Sequence, residues 1–188
     1  GKDGGASTIT QQLAKNLFTK RASSNTFKRL IQKVKEVIVS VKLERQYTKN
    51  EIIAMYLNTQ GFLFNAIGIR SASRIYFGKE PKDLDLQESA ILVAMLKNPR
   101  QYNPNREISK KKSLNRRNVV FAQMAKNEFI SQQEKDSLQN LPLKINFTPE
   151  SHNDGLATYF REHLRAKLKK WVRENPKPNG EFYNINRD

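Results

Sequence analysis

Two stretches near the start of the chain carry polar side chains that suit a sugar or phosphate ligand. The first is the run Ser7-Thr8-Ile9-Thr10-Gln11-Gln12-Leu13-Ala14-Lys15-Asn16. On a helix, its hydroxyl, amide and ammonium groups would project from neighbouring turns, where they match sugar hydroxyls and phosphate oxygens. An ordinary capped amphipathic helix is the alternative that the same residues leave open.

The second stretch contains one unusual carboxylate. Glu36 lies in the run Val34-Lys35-Glu36-Val37-Ile38-Val39, whose helix is apolar on most faces, so we expect Glu36 to be at least partly buried. A buried ionised carboxylate needs a partner. Lys33, three residues earlier, is within reach on a helix. Glu36 is therefore a candidate functional residue, although a structural Glu–Lys pair explains it almost as well.

Helices are the elements that must position these two stretches. Apolar residues recur every four positions through the first, which predicts a helix that begins after an N-cap at Ser7 or Thr8. Its inward-pointing side chains would be Ile9, Leu13 and Leu17. Residues 27–46 also alternate as a strand would, but their length and their spaced charges favour a helix.

The remainder of the chain is also predicted to be helical, so we expect an all-α protein. Further helices are predicted over residues 51–58, 69–77, 86–97, 108–127 and 132–140. The apolar stripe of the helix over 108–127 would be Leu114, Val120, Phe121 and Met124.

A last amphipathic helix follows residue 155. One face carries Leu156, Tyr159, Phe160, Leu164, Leu168 and Trp171, and the other carries Arg161, Arg165, Lys169, Lys170 and Arg173. This pattern fits either a linker helix docked on the domain or a helix lying at an anionic membrane surface.

The composition narrows the classes of protein. The 188 residues include 34 Lys and Arg against 18 Asp and Glu, a net charge of +16. They include no Cys, which excludes disulfide scaffolds and thiol nucleophiles. Residues 1–50 carry 11 basic and 3 acidic side chains, half of the excess. This concentration indicates either a polyanionic partner or a solvated basic surface that only aids solubility. The longest apolar run, residues 90–96, is too short to span a bilayer.

Four motifs in order resemble those of the peptidoglycan glycosyltransferases, glycosyltransferase family 51, which occur in class A penicillin-binding proteins and monofunctional transglycosylases. Residues 5–16 are similar to the family's second motif. Lys33-Val34-Lys35-Glu36 with Leu43-Glu44-Arg45 resembles the third motif. Residues 49–58 resemble the fourth, and residues 68–79, which end in Tyr76-Phe77-Gly78-Lys79, resemble the fifth. The resemblance covers about residues 4–140.

The resemblance implies a lysozyme-like fold and a hexosyltransferase that polymerises lipid II into glycan strands, with release of undecaprenyl pyrophosphate. Such an enzyme works at the outer face of the bacterial cytoplasmic membrane, and its partners are lipid II, the growing strand and the membrane surface rather than a nucleic acid. Glu36 corresponds to the family's second essential glutamate, which assists the pyrophosphate directly or through Mg²⁺ or Mn²⁺. Lys15 and Lys33 would contact the pyrophosphate or phosphosugar. The donor cleft would be lined by Ser7, Thr10, Gln11, Gln12 and Asn16.

Parts of the family's pattern are missing from this sequence. The general-base glutamate belongs to a first motif N-terminal to the second, and the chain starts at Gly1 directly before the second motif. We therefore expect a fragment that cannot polymerise lipid II by itself. The visible departures are Gln32 where the third motif usually has Arg, Ala54 where the fourth usually has Glu, and Leu63-Phe64 in a loop that commonly contains Gly.

Residues 1–140 are expected to form the glycosyltransferase domain. Residues 141–188 would be a linker with a connector helix towards a possible fused transpeptidase domain, whose own motifs are not in the sequence. No metal site is predicted from spacing, because His152 and His163 are too far apart to be paired ligands on one helix.

Two other function classes remain as alternatives. A lytic transglycosylase or muramidase of lysozyme-like fold would need one general-acid Glu and no lipid pyrophosphate, and the Thr-Gln-Gln-x-x-Lys pattern argues against it. A non-catalytic basic helical module for nucleic acids would make several phosphate contacts. It would also carry a reading helix or an aromatic platform, neither of which the sequence indicates.

Overall fold

The computed structural model describes residues 7–19, 25–149, 158–176 and 183, and this part of the chain is helical without a strand. Its α-helices are α1 (Ile9–Ala14), α2 (Thr26–Gln46), α3 (Lys49–Thr59), α4 (Ile69–Phe77), α5 (Leu86–Lys97), α6 (Glu107–Lys126), α7 (Gln132–Asn140) and α8 (Thr158–Glu174). The all-α prediction is confirmed. None of these helices has both the length and the apolarity needed to cross a bilayer. His152 and Leu156 lie outside the described residues.

The chain divides into two compact units, Gly1–Pro149 and Glu150–Asp188. The first unit extends past residue 140, where the sequence places the end of the domain, because residues 141–149 pack back on its core. Their anchors are backbone hydrogen bonds from Asn146 to Tyr76 (3.0 Å) and from Thr148 to Ile75 (2.8 Å), and the packing of Leu143 and Phe147. The second unit contains α8.

Two apolar clusters stabilise the first unit, and Leu96 packs against both. The smaller cluster joins α1, α2 and α3 through Leu13, Ala14, Leu43, Ile52 and Tyr56. The larger cluster joins α4, α5 and the loop before α4 through Phe62, Ala66, Ala72, Ile75, Tyr76, Phe77, Ile91, Leu92 and Met95. The smaller cluster fixes α1 against α2, and these two helices carry both polar stretches.

Helix α1 begins at a predicted N-cap, but its buried face differs from the predicted one. The Thr8 hydroxyl accepts from the Gln11 N–H in a capping box. Leu13 is buried, whereas Ile9 and Leu17 are exposed, so the prediction of three inward side chains is wrong in two positions. Ile9 borders a shallow cavity instead. Leu17 turns outward because α1 continues as a π-helical turn over Lys15–Thr19, whose wider turns shift the helix face.

The second stretch is a helix, as predicted, and it packs with its polar side inward. Asn25 caps α2, whose buried residues are Glu36, Ser40 and Leu43. Apart from Leu43 and the half-buried Val39, its large apolar residues are exposed: Phe27, Leu30, Ile31, Val34, Val37, Ile38 and Val41. The face of α2 that meets α1 therefore carries charged and hydroxyl groups. These groups can line a polar cleft between the two helices.

The predicted stripe of α6 lies on the packed side of the helix, where Phe121 is buried and Leu114, Val120 and Met124 are half-buried. The buried residues of α6 are Ser109, Ser113, Arg117 and Phe121. They recur every four positions and so share one face. Small serines allow close approach of the helix backbone, and a fully paired arginine takes a place that an apolar side chain normally fills. The predicted and observed faces therefore overlap, but three of the four fully buried positions are polar residues rather than apolar ones.

Gly68, at the start of α4, is a position where the backbone requires glycine. Its φ of 84° and ψ of 159° lie in a region that is essentially restricted to glycine, and an added Cβ would meet the Asn58 carbonyl oxygen at 2.9 Å. We expect Gly68→Ala to lower the free energy of unfolding by about 2 kcal/mol, measured by urea titration. Gly61→Ala is the matched control, because a Cβ there has nothing within 4 Å. Equal losses in both variants would contradict the assignment.

Candidate functional site

A polar cleft of about 410 Å³ lies between the start of α1 and the middle of α2. Its lining residues are Ser7, Gln11, Gln12, Lys15, Arg29, Gln32, Lys33 and Glu36. Six of them are among the eight site residues predicted from sequence. The cleft exists because the cluster around Leu13 and Leu43 holds the two helices together while the polar side of α2 faces α1.

Lys33 and Glu36 form the charged centre of the cleft. The Lys33 ammonium donates to the Glu36 carboxylate (3.1 Å) and to the Ser7 hydroxyl (2.8 Å). Glu36 is 6% exposed, whereas about half of the Lys33 side chain remains exposed. The buried carboxylate is thus neutralised by a cation whose other side is open to a ligand.

Gln12 is held in place by two hydrogen bonds. Its Nε2 donates to the Ser7 carbonyl (3.2 Å), and its Oε1 accepts from the Tyr56 hydroxyl of α3 (3.1 Å). Burial raises the pKa of Tyr56, so this hydroxyl is a neutral donor at physiological pH. The sequence did not indicate Tyr56 as a site residue, because no local pattern shows that α3 packs on α1.

Arg29 and Gln32 also line the cleft without having been predicted as site residues. A signal for Arg29 was present, since it lies four residues before Lys33 and seven before Glu36 on one face of α2. The described lining therefore contains three cations, Lys15, Arg29 and Lys33, against the single carboxylate Glu36. The excess of two positive charges suits an anionic ligand, and the hydroxyl and amide groups suit sugar oxygens.

Two of the predicted site residues do not line the cleft. Thr10 is buried at the cavity on the other side of α1, which Tyr47, Ile52 and other residues line. Asn16 lies in the π-helical turn, where the helix face shifts, and is absent from the described lining. Their expected contacts with a substrate stay predictions.

A divalent cation is not favoured by the cleft residues themselves. Among the described residues, no three His, Cys, Asp or Glu side chains lie together. Glu36 is the one carboxylate of the described lining, and Lys33 already occupies its Oε2. Mg²⁺ and Mn²⁺ prefer several oxygen ligands. The residues present therefore do not fit such an ion, and no step of the chemistry below depends on one.

Glu36 also borders an apolar groove of about 240 Å³ between the π-helical turn and α2. The other residues that line this groove are Ala14, Phe18, Thr19, Lys35, Ile38 and Val39. The cationic cleft and the apolar groove thus adjoin each other at the Glu36 side chain. This arrangement suits an amphiphile with a charged headgroup and a hydrocarbon tail.

Comparison with known families decides where the chain belongs. The model of the transglycosylase family matches residues 1–125, which include every residue of the cleft and of the apolar groove. The chain belongs to the transglycosylase family. This agrees with the family resemblance that the motifs of residues 5–79 carry.

Several relatives of this transglycosylase-family chain are penicillin-binding proteins. Penicillin-binding protein 1F of Bacillus subtilis is 39% identical over 160 residues, which cover 85% of this chain and 21% of that protein. Penicillin-binding protein 1A of Escherichia coli is 35% identical over 165 residues, 87% of this chain and 18% of that protein. A crystal structure of penicillin-binding protein 1A from Haemophilus influenzae is 28% identical, covers 72% of this chain and 19% of that one, and has a TM-score of 0.47. The chain spans about a fifth of the length of the curated relatives it matches.

Proposed function

We propose that this chain is the donor-binding part of a peptidoglycan glycosyltransferase. Its substrate is lipid II, whose glycan is joined to the growing strand while undecaprenyl pyrophosphate leaves. The observation that carries the proposal is the cleft, in which Lys15, Arg29 and Lys33 stand beside the amides of Gln11 and Gln12. Family membership and the penicillin-binding relatives support the same reaction.

The cations act on the leaving group. Negative charge grows on the pyrophosphate as its bond to the anomeric carbon breaks, and cations that are already in position stabilise that charge without reorganising. Glu36 holds Lys33 in this position, and Tyr56 orients Gln12 towards the sugar. The acceptor hydroxyl needs a general base. The family resemblance assigns this base to the first motif, so the cleft residues account for the donor side of the reaction.

The apolar groove beside Glu36 supports a lipid-linked donor rather than a free sugar nucleotide. A polyprenyl chain leaving the headgroup can follow Phe18 and Ile38 towards the exposed apolar side of α2. We also propose that the protein works at the outer face of the bacterial cytoplasmic membrane, which a lipid-linked donor and the penicillin-binding relatives support. The relatives are penicillin-binding proteins, so we also propose that the longer protein carries a fused transpeptidase domain.

Binding of a phosphoglycolipid tests the proposal without requiring turnover. We expect Lys15→Ala to bind lipid II, or the phosphoglycolipid inhibitor moenomycin, about tenfold more weakly than the unchanged chain, because one charge-assisted contact to phosphate is lost. Calorimetric titration measures the difference. Lys111→Ala, an exposed lysine of α6, is the matched control and should bind normally.

Equal binding by all three proteins would contradict the site. Tight binding of duplex DNA, with no binding of lipid II, would instead favour a nucleic-acid module.

A further inference from the structure

Four large apolar side chains lie on one face of helix α8. At 100° per residue, Phe160, Leu164, Leu168 and Trp171 fall within an arc of about 80°. Each of the four is at least 42% exposed. The Trp171 ring contacts the Tyr183 ring, with 5.7 Å between their centroids. We call these four residues the α8 apolar face, and it is open to an apolar partner.

Basic residues border the α8 apolar face and occupy the opposite side of the helix. Lys167 falls at one edge of the arc, and Lys169, Lys170 and Arg173 fall on the far side. The helix sequence contains six Lys and Arg residues against two Glu, a net charge of +4. A helix that is apolar and aromatic on one side and cationic on the other is typical of peptides that lie in a membrane interface.

We propose that α8 lies on an anionic phospholipid surface, with its apolar face at the boundary of the acyl chains. A bilayer interface matches both sides of the helix at once, because the same surface offers hydrocarbon and negative headgroups. A groove on a protein would match the apolar face and leave the net charge of +4 unused. The inference does not rest on the proposed catalytic function, and α8 lies outside residues 1–125 that the family model matches.

Trp171 makes a specific test possible, because it is the only tryptophan of the chain. Vesicles of phosphatidylglycerol should shift the Trp171 emission to shorter wavelength, and brominated acyl chains should quench it. Vesicles of phosphatidylcholine should do neither. Lys169→Gln/Arg173→Gln should weaken binding to phosphatidylglycerol vesicles about 30-fold, since each cation near such a surface contributes. Leu164→Gln/Leu168→Gln should weaken it by about tenfold or more and remove the emission shift.

The matched control is Lys111→Gln/Lys112→Gln, which removes the same charge from exposed positions of α6. Circular dichroism establishes that each variant remains helical. An equal loss of binding in this control would overturn the proposal, as would vesicle binding that leaves the Trp171 emission unchanged. A Trp171 that is already shielded from acrylamide without vesicles would show that protein covers the face, and would overturn it too.

Discussion

Lys33→Met lowers the affinity of the cleft for a phosphoglycolipid by about 30-fold or more, the largest expected effect on binding. Two causes add together. The substitution removes one of three cations, and it leaves the buried carboxylate of Glu36 without the ammonium that lies 3.1 Å from it. An uncompensated negative charge in the cleft repels the phosphate of the ligand. Calorimetric titration of the unchanged and the substituted chain measures the loss.

A double-mutant cycle separates the two causes. Glu36→Gln removes the negative charge, keeps all three cations and leaves an amide oxygen that can still accept from Lys33. It should therefore bind the phosphoglycolipid at least as tightly as the unchanged chain. Lys33→Met/Glu36→Gln should bind more tightly than Lys33→Met, because the repulsion is gone while the missing cation stays missing. If the double variant is as weak as Lys33→Met, repulsion by Glu36 is not a cause. Normal binding by Lys33→Met would refute the role of the cation.

Arg117→Met should cost about 3 kcal/mol of unfolding free energy, the largest expected effect on stability. Arg117 is 1% exposed and lies over the Phe121 ring. Its guanidinium donates to four acceptors, which are Gln87 Oε1 (3.0 Å), Asn118 Oδ1 (3.0 Å), the Gln139 carbonyl (3.1 Å) and the Leu141 carbonyl (3.0 Å). Burial lowers the pKa of Arg117, yet an arginine remains charged at neutral pH. Methionine keeps the packing volume and leaves all four acceptors unpaired.

Two further variants make the Arg117 prediction specific. Arg117→Lys should recover only part of the loss, because an ammonium cannot reach acceptors arranged for a planar guanidinium. Arg106→Met removes an exposed arginine from the start of α6 and should change stability by less than about 0.5 kcal/mol. Urea unfolding followed by circular dichroism measures all three. A loss below about 1 kcal/mol for Arg117→Met would contradict the assigned hydrogen bonds.

Several of the correctly predicted helices begin or end at local signals. The capping boxes of α1 and α3 close on Thr8 and Thr48, each with its partner three residues later. Gly78 ends α4 in the left-handed conformation that glycine adopts readily. These signals involve neighbours in the chain, so no knowledge of the tertiary structure is needed to interpret them.

The orientation of the helices could not be predicted from such signals. An apolar stripe normally indicates the buried face, but α2 buries Glu36 and Ser40 and exposes Val34 and Ile38. In α6 the apolar stripe does lie on the packed side, but the fully buried positions there include Arg117 and two serines. Three of the four partners of Arg117 are distant in sequence, and the face of α2 that packs inward is set by the contacts of Leu43 with α1 and α3.

For the candidate site, the residue types and motif spacing of the sequence alone determined the helical class, the two polar stretches and the pairing of Lys33 with Glu36, because all of these depend on contacts within one or two helical turns. The tertiary structure alone decided that Tyr56 orients Gln12 and that Thr10 faces the other way. The physical reason is that these outcomes depend on how α1 packs between α2 and α3. That packing depends on apolar contacts between residues far apart in the chain, such as Leu13, Leu43 and Ile52.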